Sequence, residues 1–378
     1  MSANVTPRCP HFGLCGGCQH QDVAYEEQLK LKLARLAELL QNARLTIPEI
    51  AVHSAGSYEY RNRIRLRVKS AGGALRFGYN RMATKQFLPI TTCPIATPVL
   101  WQTAQVLLAI AQRDENAAKC LAAASHVELF ASDDSACVQF TLLFEPRKAP
   151  PKNAFAPMMQ LLAVDAPQIT SAAALNYDPR TGLPGRTLES WGANGIAYRA
   201  ANETYWISRG AFFQVNRFLI DTLINLVCEG RSGALAWDLF AGVGLFSRIL
   251  ARSFAQVTAV EANPAAATDL RSALAKIGQA HVAVQATTLD FLRSAVVQRG
   301  RPGLIVMDPP RAGAGMEVCE LLLRVAAPQM VYVSCDPTTL ARDLAALQSG
   351  YRIVALHLVD LFPQTEHLET VVVLERNS

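Results

Sequence analysis

Hydrophobic and polar positions alternate with period two across residues 60–70. Arg61, Arg63, Arg65, Arg67 and Lys69 fall on one side, and Asn62, Ile64, Leu66 and Val68 on the other. That spacing predicts a strand with one basic and one mostly apolar face. Residues 75–79 are its expected hairpin partner, across Ala71-Gly72-Gly73. Upstream, leucines at 29, 31, 33, 36, 39 and 40 recur among charges, which predicts an amphipathic helix over 25–41. Residues 97–112, with Pro98 in the first turn, and 153–164 read as further helices. Residues 125–144 read as two strands around a polar turn at 132–135. From about residue 204 strand-like runs (234–239, 257–261, 282–286, 304–307, 330–334) alternate with helical ones such as 264–277 and 316–325. Such alternation argues a parallel sheet covered by helices on both faces. Two more strands, 352–358 and 370–374, close the chain. The patterns divide it into a Cys-rich segment and helix (1–45), a central mixed α/β domain (46–203) and an α/β domain with a parallel sheet (204–378).

Composition sharpens this picture in three places. The net charge is only +5, yet residues 61–92 hold eight Lys or Arg and no acid. A basic zone in a nearly neutral chain suggests a polyanion met on one face, or else a solvated strand face. The first ten residues hold no apolar signal core, and no run of ~18 apolar residues suggests a membrane span. A cytoplasmic monomer is expected, with no obligate protein partner. The nine cysteines therefore read as metal ligands, catalytic groups or core residues rather than disulfides.

The candidate chemistry gathers at strand ends. Asp238-Leu239-Phe240-Ala241-Gly242-Val243-Gly244 lies between a strand and a helical run (245–251), and Glu261 ends the next strand, where an acid can hold ribose hydroxyls. A dinucleotide site shares these features. The missing third glycine, and an acid that would repel a pyrophosphate, favour S-adenosylmethionine. Asp308-Pro309-Pro310-Arg311 follows a later strand. Cys335 follows the strand 330–334 among polar neighbours, so a reactive thiol at the same edge competes with a buried core cysteine. Glu369 is a carboxylate at another strand end, where a solvated group is equally expected. Together a thiolate and a carboxylate suit methylation of uracil at C5. The thiolate adds at C6 and makes C5 nucleophilic, and the carboxylate removes the C5 proton. At the other end, Cys9, Cys15 and Cys18, with Cys93 downstream, offer soft ligands for zinc or an iron–sulfur cluster.

These residues resemble the bacterial 5-methyluridine RNA methyltransferases, in particular the ribosomal-RNA branch with an iron–sulfur cluster. The resemblance rests on Phe213-Gln214-Val215-Asn216, the loop 238–242, Asp308-Pro309-Pro310-Arg311, Ser334-Cys335-Asp336-Pro337 and residues 362–369. It implies a class I S-adenosylmethionine-dependent fold preceded by an RNA-binding domain. It implies Cys335 as nucleophile, Glu369 as base, and Gln214, Phe240, Gly242, Glu261 and Asp308 at the methyl donor or target base. It also implies a [4Fe–4S] cluster on Cys9, Cys15, Cys18 and Cys93, and a uridine in a 23S rRNA hairpin loop as substrate. There is no room for an extra β-barrel before Cys9, so the chain resembles the shorter members. Ala241, Asp336, Gln364, Leu245 and Thr288 depart from residues used by many or some members. The alternatives are a transfer-RNA T-loop enzyme, which generally lacks the four cysteines, and a non-catalytic iron–sulfur RNA-binding protein.

Overall fold

The computed structural model describes residues 5–71, 74–180, 184–298 and 300–377. The expected turn at Gly72-Gly73 lies outside them. The C-terminal strands form an eight-stranded sheet. Its order is Ile50–His53, Tyr351–Val359, Glu369–Arg376, Gln329–Ser334, Leu304–Met307, Gly233–Leu239, Phe254–Glu261, Val282–Gln285. Only Glu369–Arg376 runs against its neighbours; every other pairing is parallel. Successive residues of the central strands enter opposite cores. Val306, Val331 and Val371 pack on one face, and Ile305, Tyr332 and Val372 on the other. Both faces are buried, which is why these strands read as continuous apolar runs.

A second, seven-stranded sheet has the order Phe87–Pro89, Ala74–Asn80, Arg63–Ala71, His126–Ala131, Val138–Phe144, Ile169–Tyr177, Pro184–Gly192. The helices Pro98–Arg113, Glu115–Ala123 and Phe155–Asp165 share its apolar core. A hairpin of Gly195–Ala200 and Glu203–Ser208 stands between the two sheets. Its Tyr198 and Tyr205 pack around Phe213, and Tyr198 stacks on Phe130 of the second sheet at 6.0 Å between ring centres.

Three expectations change. The helix after the glycine loop is only Ser247–Leu250, because Gly242 and Gly244 hold left-handed φ values of 57° and 91° and the chain turns before it coils. The strand Ile50–His53, within the segment 46–203, pairs with Tyr351–Val359 in the C-terminal sheet. The basic strand is not unbalanced. Glu128, from the neighbouring strand, meets Arg65 at 2.7 Å and Arg63 at 3.5 Å. Its carboxylate is buried, so it offsets the run locally.

Candidate active site

The two candidate reactive groups meet because of strand register. Ser334 pairs with Thr370 at the end of an antiparallel ladder. Extending that ladder by one residue puts Cys335 opposite Glu369. Cys335 is half-buried and Glu369 is buried. Immediately after the thiol, Asp336 caps the helix Pro337–Leu347, its side chain accepting from the amides of Thr338 and Thr339 at 2.9 and 3.0 Å. Aspartate does this as well as asparagine.

Carboxylates crowd this edge. Asp308 and Asp238 both rise to about 7. Burial is the main cause for each. Repulsion from Asp238 adds to it at Asp308, and repulsion from Glu261 adds at Asp238. Gln214 Nε2 donates to Asp308 Oδ2 at 3.1 Å, and Ser247 donates to Asp238; both bonds oppose the rise. Burial and the Asp308 charge push Glu369 well above the usual carboxylate range, with Arg311 opposing. Cys335 is pushed up to about 12 by burial, then by Glu369 and Asp308, again with Arg311 opposing. Oε1 of Glu369 and Oδ1 of Asp238 are buried without a hydrogen-bond partner. Such an edge selects a cationic ligand, which would relieve the repulsion.

The glycine loop completes the edge. Glu261 accepts from the amides of Gly242 at 2.8 Å and Asn263 at 2.6 Å, so its carboxylate is fixed beside the loop. Phe240 holds a left-handed φ of 62°, a strained conformation for an aromatic residue. A Cβ on Gly244 would come 2.7 Å from Leu270 Cδ1, so the loop packs closely on the helix Pro264–Ala275. Leu245 is buried with its carbonyl accepting from Tyr205, and Thr288 is buried at the start of the helix Thr288–Gln298.

Cys9, Cys15, Cys18 and Cys93 line one cavity of about 300 Å³. Residues 80 or so apart in the chain meet there because the cysteine loop is zipped to the hairpin. The Gly16 amide donates to Asn80 O at 3.1 Å, and Cys15 bridges Arg81. All four are free thiols. Burial raises Cys18 to about 12 and Cys93 to about 11, and the neighbouring cysteines add to both. Among the described residues no three His, Cys, Asp or Glu are close enough to hold a single metal ion. The same cavity is walled by Arg61, Arg65, Arg311, Phe362, Thr365 and His367. It therefore adjoins the loop that leads to Glu369.

Comparison with known proteins gives the family. The family described as tRNA (Uracil-5-)-methyltransferase matches residues 194–377. The 23S rRNA (uracil(1939)-C(5))-methyltransferase of Chromohalobacter salexigens is 32% identical over 99% of this chain and 77% of its own length. The chain belongs to the RNA (uracil-C5)-methyltransferase family. The corresponding 23S rRNA enzyme of Klebsiella pneumoniae is 30% identical over 98% of this methyltransferase and 81% of its own chain. The fold is shared with the Pyrococcus abyssi tRNA (uracil-54, C5)-methyltransferase, solved with S-adenosyl-L-homocysteine. The TM-score is 0.75 at 24% identity, covering 96% of this chain and 86% of that one. No described helix is long and apolar enough to cross a membrane.

Sequence reasoning did not single out two residues that lie beside this candidate site. Arg311, quoted only as a motif residue, lies 3.4 Å from His367 and faces both Cys335 and Glu369. Lys32, on the N-terminal helix, is buried against Asp360 in the loop before Glu369. Only the motif spelling could have suggested Arg311. No local signal pointed to Lys32.

Proposed function

We propose that this protein transfers a methyl group from S-adenosylmethionine to C5 of a uridine in 23S rRNA. The register that ends with Ser334 opposite Thr370, and so brings Cys335 beside Glu369, is the observation behind this reading. The 23S rRNA enzymes that match nearly the whole chain support the branch. The cofactor supplies the methyl group, and its ammonium and sulfonium are the cations the carboxylate-rich edge needs. Glu261 would hold the ribose, and Asp238 and Asp308 would face the positive end, with Phe240, Gly242 and Gln214 lining the donor or the base. Cys335, as its thiolate, adds to C6 and makes C5 nucleophilic. Once C5 carries the methyl, Glu369 takes the C5 proton. The freed electron pair restores the C5–C6 double bond, and Cys335 leaves as thiolate. The target uridine must leave its stack to reach the thiol, which is easiest in a hairpin loop.

We further infer that Cys9, Cys15, Cys18 and Cys93 hold a [4Fe–4S] cluster. Four free thiols around a cavity suit a multi-iron core better than one zinc ion, whose sulfurs must converge within ~2.3 Å of the metal. The Gly17 amide already donates to Cys15 Sγ at 3.4 Å. Equimolar iron and acid-labile sulfide in anaerobically purified protein, lost together in Cys93→Ser, is the expected result.

The reaction is tested by tritium release. Transcripts of 23S rRNA and of tRNA carrying 5-tritiated uridine are mixed with protein and S-adenosylmethionine. Release from 23S rRNA alone supports the reading, and release from tRNA transfers the protein to the T-loop branch. Cys335→Ser should abolish release, a loss of at least ~10³-fold. Normal turnover by that variant would exclude the covalent mechanism.

A further inference from the structure

The stretch Asp360 to Gln364 connects the strand Tyr351–Val359 to the segment before Glu369, and each of its carbonyls accepts a hydrogen bond. Asn216 Nδ2 donates to Asp360 O at 3.4 Å and Leu361 O at 3.1 Å. Lys32 Nζ donates to Phe362 O at 2.9 Å, and Tyr60 OH to Pro363 O at 3.1 Å. The amides of Gln19 and His20 donate to Gln364 O at 3.0 and 3.1 Å. Side chains of the helix Tyr25–Asn42 add a second layer. Tyr25 OH donates to Asp360 Oδ2 at 2.8 Å, and Lys32 Nζ to Asp360 Oδ1 at 2.6 Å. Gln28 Oε1 accepts from the Gln364 amide at 3.0 Å, and Gln28 Nε2 donates to Gln364 Oε1 at 3.1 Å.

Tyr25, Gln28 and Lys32 share one helix face, three and four residues apart. The usual arrangement of an amphipathic helix is reversed there. Lys32 is 3% exposed while its neighbour Leu31 is 54% exposed. Burying a lysine and a glutamine is costly unless both are fully bonded, and an apolar face would stabilise the helix more cheaply. Gln364 also sits at a left-handed φ of 68°, a conformation that persists where its surroundings over-determine it. The stretch is fixed from outside, and the residues that follow it form the wall from which Glu369 emerges. Within that wall His367 meets Arg311, the cation that faces Cys335 and Glu369.

We infer that Tyr25, Gln28 and Lys32 are positioning residues for proton removal by Glu369: the N-terminal helix clamps the stretch 360–364 and so aims the carboxylate at C5. This rests on the reading of Glu369 as the base. In that step Glu369 takes the C5 proton, the C–H pair forms the C5–C6 double bond, and the C6–S bond breaks with its pair leaving on Cys335. A misaimed Glu369 leaves the earlier steps intact, so the methylated RNA stays bonded to Cys335.

The test uses the full chain, methyl-labelled S-adenosylmethionine and whichever transcript releases tritium. Labelled protein–RNA adduct that survives denaturing gels is compared with labelled free RNA. Glu369→Gln is the benchmark and should accumulate adduct. Gln28→Leu and Lys32→Met should raise the adduct fraction and lower kcat, each by about tenfold, with KM for S-adenosylmethionine within about twofold. Gln28→Glu keeps the acceptor for the Gln364 amide and should recover part of kcat. A fall in activity that tracks melting temperature with no adduct would overturn the proposal, as would failure of Gln28→Leu to fold. Absence of adduct in Glu369→Gln would instead remove the base assignment, and this proposal with it.

Discussion

Burial raises both Cys335 and Glu369, with repulsion from Glu369 and Asp308 adding at the thiol and repulsion from Asp308 adding at the carboxyl. The reaction needs the thiolate first. With Cys335 raised to about 12, the thiolate fraction grows as pH rises over the whole working range. Single-turnover formation of the RNA adduct should therefore climb with pH, by up to about tenfold per unit between pH 7 and 9. A flat profile would mean that the bound methyl donor has already ionised the thiol. Asp308 gives a second pH effect, on stability. Its folded value is raised from 3.8 to about 7, so the folded state holds an extra proton between those values. The stability this gives is complete below about pH 4 and is lost as pH rises through about 7. Asp308→Asn keeps the shape without the charge. In thermal melts of ligand-free protein, the variant's advantage over the parent should grow by several degrees from pH 5 to pH 8.

At the scale of elements, the turn-strand-turn logic of the C-terminal half was legible because its central parallel strands are buried on both faces and end at or beside a polar residue. Asp238, Glu261, Asp308 and Cys335 all follow that rule. Glu369 did not, because its place depends on an antiparallel pairing that no local pattern encodes. The basic strand was legible as a strand but not as a charge pattern, because Glu128 lies 63 residues from Arg65 in sequence. The hairpin beside it has a role that its sequence does not announce. Gly78 faces Leu88, and a Cβ there would collide with the Leu88 carbonyl oxygen. Gly78→Ala should push apart the strands Ala74–Asn80 and Phe87–Pro89, costing about 1–3 kcal/mol in denaturant unfolding. Because Asn80 and Arg81 hold the cysteine loop, iron bound per chain should fall in the same variant.

Across the whole molecule, the four-cysteine cavity ties three distant parts together: the N-terminal loop, Cys93 beyond the basic hairpin, and the wall before Glu369. Occupied, it would hold the N-terminal segment against both sheets. Iron removal by an anaerobic chelator should therefore expose that segment, and limited trypsin digestion should cut at Arg8 faster than in the iron-loaded protein. An unchanged digestion rate would make the cavity incidental to the fold. The division into three segments read from the sequence pattern does not convey this linkage. The strand Ile50–His53 and the helix Tyr25–Asn42 belong, by contact, to the catalytic half.

The placement of Glu369–Arg376 in the interior of its sheet has a consequence for the order in which the protein is made. This strand follows both of its neighbours in sequence, yet it lies between Gln329–Ser334 and Tyr351–Val359. The buried polar face of the helix Tyr25–Asn42 meets the stretch 360–364 across 328 residues of sequence. Domains generally fold as the chain leaves the ribosome, from the N-terminus onward. Here Lys32 and Gln28 lack these partners until the stretch 360–364 has been made. Contacts at that sequence separation carry a large loop-closure entropy, so the clamp on the wall before Glu369 should be among the last parts of the fold to form.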